Sequence, residues 1–130
     1  MAGYRTPLGR ARGLGAAKHG VGHFIKQRLT GAALVVLMLW AISAAIGLSR
    51  ADFASTTAWL HSAWNAVPAA LLIGTAFLHM SLGMQVIIED YIQTPLAKIS
   101  LLALNAFVCW AGAAIGVFSI LKVAFGGGAY

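Results

Sequence analysis

Acidic side chains are almost missing from this chain. Asp52, Glu89 and Asp90 are its only carboxylates, against nine Lys and Arg, and charged residues make up 9% of the 130 positions. Soluble domains carry roughly 25% charged residues, so this balance, with 60% hydrophobic residues, excludes one. Cysteine is scarcer still: Cys109 is alone, which rules out an internal disulfide and a cysteine cluster of its own, and leaves the redox compartment undetermined. Midway along an apolar run, it reads as a small buried apolar residue rather than a ligand. No glycine fingerprint of the dinucleotide-binding kind occurs. The net charge of +6 would suit nucleic acid, but most basic residues crowd beside the first apolar run, so they read as a membrane-topology signal instead.

What the sequence has is length of apolar run. A hydrocarbon core of about 30 Å needs roughly 20 apolar residues in a helix rising about 1.5 Å each. Residues 29–48, 67–88 and 99–121 meet that test without one Asp, Glu, Lys or Arg. The expected fold is therefore an all-α membrane protein of three transmembrane helices, with residues 24–130 forming the anchor and 1–23 a basic arm. Arg5, Arg10, Arg12, Lys18, Lys26 and Arg28 precede the first span and Lys98 lies between the second and third, whereas only Arg50 and Lys122 lie on the other side. The positive-inside rule puts the N-terminus in the cytoplasm, or in the mitochondrial matrix, and the C-terminus outside. The Arg-rich start resembles a transit peptide, but it lacks serine enrichment and runs straight into the span, so a retained arm is expected.

Along the chain, Arg28 sits about one turn after Phe24, where it is either an interfacial anchor or a clamp for an anionic group. Residues 53–66, with Trp59 and Trp64, read as an interfacial segment, and His61 between the tryptophans as a solvated histidine. Pro68 is expected in the first turn of the second span. In the third span Asn105 suits an interhelical hydrogen bond, and Gly112-x-x-x-Gly116 suits close helix packing. Gly126, Gly127 and Gly128 read as a flexible tail.

His79 is the only histidine inside a span, and an intramembrane histidine requires a partner. Three roles are open on that ground: a hydrogen bond to another helix, a proton relay, or an axial ligand to haem iron. Gly83 lies one turn on and is expected to leave bare surface for a flat macrocycle. Asp90, eleven residues from His79, returns to within roughly 20° of the same face, and Tyr91 lies roughly 18 Å along the axis from the imidazole.

The run Leu78-His79, Gly83-Met84-Gln85-Val86 and Asp90-Tyr91, carrying His-x10-Asp-Tyr in the second of three spans, resembles the small membrane-anchor subunits of succinate dehydrogenase. The resemblance covers essentially the whole chain. It implies that His79 is one of two axial ligands of a b-type haem, the other coming from a second membrane-anchor subunit of the cytochrome b type. It implies that Tyr91 hydrogen-bonds a ubiquinone carbonyl, with Asp90 orienting that site or supplying protons. Gln27-Arg28-Leu29-Thr30 matches an element before the family's first span, which implies that Arg28 binds a haem propionate. Family members can carry a further His shortly before that Arg; Gly22 stands there and His23 follows, so the resemblance assigns His23 no role.

The implied assembly is a heterodimeric anchor bundle docked to an iron–sulfur subunit and a flavoprotein subunit, which hold the clusters and FAD. On that reading the chain is part of an enzyme without a succinate-oxidising site of its own, in the bacterial inner membrane or the mitochondrial inner membrane. Two other readings compete: a small proton-linked transporter or assembly protein with His79 as relay, and a structural anchor without a redox site.

Overall fold

A computed structural model describes residue 8 and residues 20–126 of the chain. The expected arm over residues 1–23 falls outside the described residues except at Leu8 and residues 20–23, and so do Gly127 and Gly128 of the expected tail. Four helices follow in order: α1 over Gly20–Leu48, α2 over Phe53–Leu60, α3 over Ala63–Tyr91 and α4 over Pro95–Phe125. The described residues contain no strand. α1, α3 and α4 are each long and apolar enough to cross a membrane.

These helices run past the apolar stretches because the backbone ladder continues where the side chains turn polar. A 29-residue helix such as α1 or α3 is about 43 Å long, well beyond a hydrocarbon core of about 30 Å. Their ends therefore reach the interfacial layers. Pro95 opens α4 at a position that needs no backbone N–H. Lys98 donates from Nζ to the carbonyl of Glu89 at 2.9 Å, bringing a cation to the negative end of α3.

α3 stands between α1 and α4 and packs against both, while those two scarcely touch each other. Three helices in one layer enclose little: Ala66, Ile88, Cys109 and Thr30 are the only buried residues among those described. Large apolar side chains such as Val36, Leu39 and Phe118 stay exposed, as lipid or protein neighbours require.

The α3–α4 seam is built from missing side chains. A β-carbon on Gly112 would collide with the Phe77 ring, and one on Gly116 would fall 2.6 Å from Ile73 Cγ2. Asn105 Nδ2 donates to the Ser81 carbonyl at 3.0 Å across the same seam, the interhelical bond expected of it. Cys109 is buried beside it with Sγ 3.5 Å from Asn105 Oδ1, in keeping with a small core residue.

The connection between the first two spans departs from the sequence reading. α2 ends at Leu60, and the Ser62 carbonyl accepts from Asn65 and Ala66 N–H, so α3 has already begun at Ala63. Pro68 consequently lies inside α3, not in its first turn. Its ring removes the N–H that would reach the Trp64 carbonyl. Trp59 stacks on Trp40 of α1 with ring centroids 5.9 Å apart, whereas Trp64 projects outward at 88% exposure. His61 is exposed, but it is not simply solvated: Nδ1 lies 3.1 Å from the Ala124 carbonyl and so donates to the last turn of α4. Gly126 closes α4, its N–H bonding the Lys122 carbonyl at 2.8 Å.

Asp52 caps α2 by accepting from the Ser55 N–H at 2.9 Å, and its hydrogen bonds with Ser55 hold the carboxyl below its ordinary range. A carboxyl lowered on folding stabilises the cap above the ordinary carboxylate pKa and loses that contribution as the pH falls through the folded value.

Gly112→Leu is expected to wedge α4 off α3, costing about 1–3 kcal/mol by overpacking. A lowered unfolding temperature in detergent checks it, with the exposed Phe107→Leu as a control expected to change little.

Candidate functional site

A large cavity opens between α1 and α3 at the end where α1 begins. Its volume is about 750 Å³, and His23, Gln27, Arg28 and Gly31 of α1 face His79, Gln85 and Glu89 of α3 across it. No other part of the described chain gathers so many polar side chains.

α1 supplies a polar stripe because positions 23, 27, 30 and 31 recur at three- and four-residue intervals on one helical face. Arg28 is exposed at the cavity edge, with its guanidinium carbon 5.2 Å from the Phe24 ring centroid. The two readings of this residue meet in that geometry: the stem and ring anchor the side chain while its charge remains free of any carboxylate, no salt bridge being formed among the described residues. His23 Nε2 and Gln27 Oε1 are buried with no hydrogen-bond partner among the described residues. Buried polar atoms normally find partners, so these two mark a place for a bound group or water. The family resemblance gave His23 no role, yet the fold brings it into this wall.

α3 contributes the imidazole. His79 Nδ1 lies 2.9 Å from Thr30 Oγ1, and the Cε1 edge of the ring lies 3.4 Å from where a β-carbon on Gly31 would stand. Thr30 in turn contacts the carbonyls of Lys26 at 2.8 Å and Gln27 at 3.2 Å. The bare surface beside the imidazole is thus Gly31 on the facing helix. Gly83, expected to fill that role, faces Gln27 instead: a β-carbon there would lie 3.6 Å from Gln27 Nε2. A glycine one turn along the same helix clears space for whatever crosses over that turn, and the crossing helix presents Gln27.

Asp90 and Tyr91, the other two expected site residues, are not in the cavity wall. Both are exposed at the end of α3, Tyr91 at 79%, and the carboxylate that lines the cavity is Glu89, whose Oε1 accepts from Gln85 Nε2 at 2.7 Å. Gln27, Thr30, Gly31, Gln85 and Glu89 were not singled out as site residues by the sequence. The signal available for them was their place within about three turns of Arg28 or His79, which cannot reveal which helix faces are opposed.

Among the described residues no three His, Cys, Asp or Glu converge to hold a bare metal ion. A metal that brings most of its own ligands is different, because it needs only one imidazole from this chain. A planar, apolar prosthetic group with acidic substituents suits the cavity: His79 for the metal, Gly31 for close approach, and Arg28, with the unpartnered His23, for the acids.

Comparison with known proteins gives a consistent picture. The family model described as succinate dehydrogenase/fumarate reductase transmembrane subunit matches residues 2–116. A succinate dehydrogenase hydrophobic membrane anchor subunit from Rickettsia bellii is 30% identical over 120 residues, covering 92% of this chain and 88% of the relative. One from Paracoccus denitrificans is 28% identical over 126 residues, covering 95% of both chains. No solved structure matches the chain at a significant level.

Proposed function

The chain belongs to the succinate dehydrogenase/fumarate reductase transmembrane subunit family, and from that premise we propose that it is the hydrophobic membrane anchor of a succinate dehydrogenase, holding half the ligation of a b-type haem and part of a quinone site. The observation that carries the finer reading is that His79, Arg28 and the unpartnered His23 Nε2 line one cavity formed by two membrane-length helices.

The residues fit such a group. His79 would hold the metal from this chain, with a further ligand supplied by another anchor subunit. Arg28 would hold a propionate, which a planar guanidinium engages with paired hydrogen bonds. Bound haem supplies a one-electron centre whose potential follows its ligation, burial and hydrogen bonding. Everything else falls to this chain's own side chains. The wall of α1 and α3 excludes lipid, and the buried donors and acceptors fix orientation.

Quinone is a substrate and takes up two electrons and two protons on reduction. In the proposal the Tyr91 hydroxyl donates to a quinone carbonyl, and Asp90 beside it orients the site or passes protons. Their exposure at the end of α3 supports a quinone site completed by neighbouring subunits. The same end carries Lys26, Arg28 and Lys98, and the positive-inside rule then gives a cytoplasmic N-terminus and an inner-membrane location in a bacterium. The flavoprotein and iron–sulfur subunits dock there. The apolar faces of α1 and α4 meet lipid and the second anchor subunit.

The decisive test is a reduced-minus-oxidised visible spectrum of the complex purified through a tag on this chain. A b-type signal co-purifying with flavin supports the proposal; flavin without haem removes His79 from its assigned role. In a haem-containing complex, His79→Ala is expected to abolish or strongly reduce that signal. Tyr91→Phe should lower quinone reductase turnover by about 10²–10³-fold, in the range lost when a positioned donor or proton-transfer group is removed. Succinate oxidation with an artificial acceptor should persist, and equal loss of both activities would indicate misassembly instead.

A further inference from the structure

Thr30 is the only buried polar residue among those described, at 8% exposure, and its surroundings leave its single hydroxyl proton few choices. Being β-branched, it has little rotamer freedom in a helix. Its Oγ1 is anchored to its own helix by the Lys26 carbonyl at 2.8 Å and the Gln27 carbonyl at 3.2 Å, a back-bonded geometry in which the hydroxyl donates. Carbonyl oxygens only accept. The third neighbour, His79 Nδ1 at 2.9 Å, must then be the donor, with Oγ1 accepting from Nδ1–H through a lone pair.

A neutral imidazole carries one N–H, so a proton held on Nδ1 leaves Nε2 with a bare lone pair. Nε2 makes no hydrogen bond among the described residues. Gly31 closes the other side of the same ring edge, a β-carbon there lying 3.4 Å from Cε1 and 3.9 Å from Nδ1. The α1 backbone thereby dictates where the hydroxyl sits, and the hydroxyl dictates how the ring sits.

We propose that Thr30 is a positioning residue that fixes the tautomer and orientation of His79, so that Nε2 is the nitrogen offered to the iron. This rests on the haem reading above. Thr30 touches neither iron nor macrocycle in this scheme and acts through the imidazole. A ligating histidine whose other nitrogen donates a hydrogen bond is the more basic ligand and favours the oxidised metal, and loss of such an outer partner typically weakens metal binding by about 10–100-fold.

The test uses the intact complex in three forms: wild type, Thr30→Val, which keeps the shape but not the hydroxyl, and Thr30→Ser, which restores it. Flavin and partner subunits co-purifying with the tagged chain report assembly. Haem per flavin, the low-spin ferric electron paramagnetic resonance spectrum and the haem midpoint potential report His79. The expected result for Thr30→Val is an assembled complex with haem retention reduced by about 10–100-fold under challenge, or with retained haem whose midpoint potential is raised and whose spectrum is altered; Thr30→Ser resembles wild type. An assembled Thr30→Val complex with unchanged haem, spectrum and potential overturns the proposal and leaves the haem reading standing. Complexes lost from the membrane in both Thr30→Val and Thr30→Ser assign the residue to helix packing and overturn it as well. Wild-type complex without b-type haem overturns both.

Discussion

The contact between Thr30 and His79 is the only hydrogen bond between side chains of different helices among the described residues, and the cavity depends on it. In a bilayer, apolar surface gives little reason for one helix to choose a particular face of another, because lipid tails are as good a neighbour as leucine. Polar groups and close backbone approach make that choice. Here a hydroxyl already tied to the α1 backbone meets the one intramembrane imidazole at 2.9 Å, and Gly31 next to it lets the two helices come near enough for the bond to form. The polar walls of the cavity are then brought opposite one another.

The other seam works by a different principle. α3 and α4 interlock through Phe77 over Gly112 and Ile73 over Gly116, with Asn105 bonding a backbone carbonyl of the neighbouring helix. Dispersion contacts between closely matched surfaces hold it, and it carries no cavity of comparable size. One face of α3 is thus fixed by shape while the other is left open around polar groups, a division that suits a helix presenting a ligand. Trp40 against Trp59 and His61 against the end of α4 fasten the opposite end of the bundle, away from His79.

Much of this was legible in the chain itself. Three charge-free runs give three membrane-length helices, and the rarity of ionisable groups inside them singles out His79. Asn105, Gly112 and Gly116 behave as residues of their type do in lipid. Arg28 is at the edge of the cavity that His79 lines. What the sequence missed is how the helices face one another. Gly83 was matched to the imidazole because both lie on one helix, when the helix that crosses there fills the space with Gln27. Glu89, not singled out beforehand, lines the cavity. Crossing helices do not keep one straight stripe in contact, since the face turned toward a neighbour drifts along the axis.

The sequence by itself determined the class of protein, its number of spans and its one intramembrane histidine. Length of apolar run, scarcity of charge and helical rise are properties of a single chain segment and need no partner to be read. Only the tertiary structure decided that Thr30, His23 and Gln27 belong with His79, that Gly31 flanks the ring, and that Asp90 and Tyr91 are not in the cavity wall. Those relations depend on how one helix is rotated and crossed against another. Periodicity along one helix leaves that undetermined, and packing with hydrogen bonding across the seam settles it.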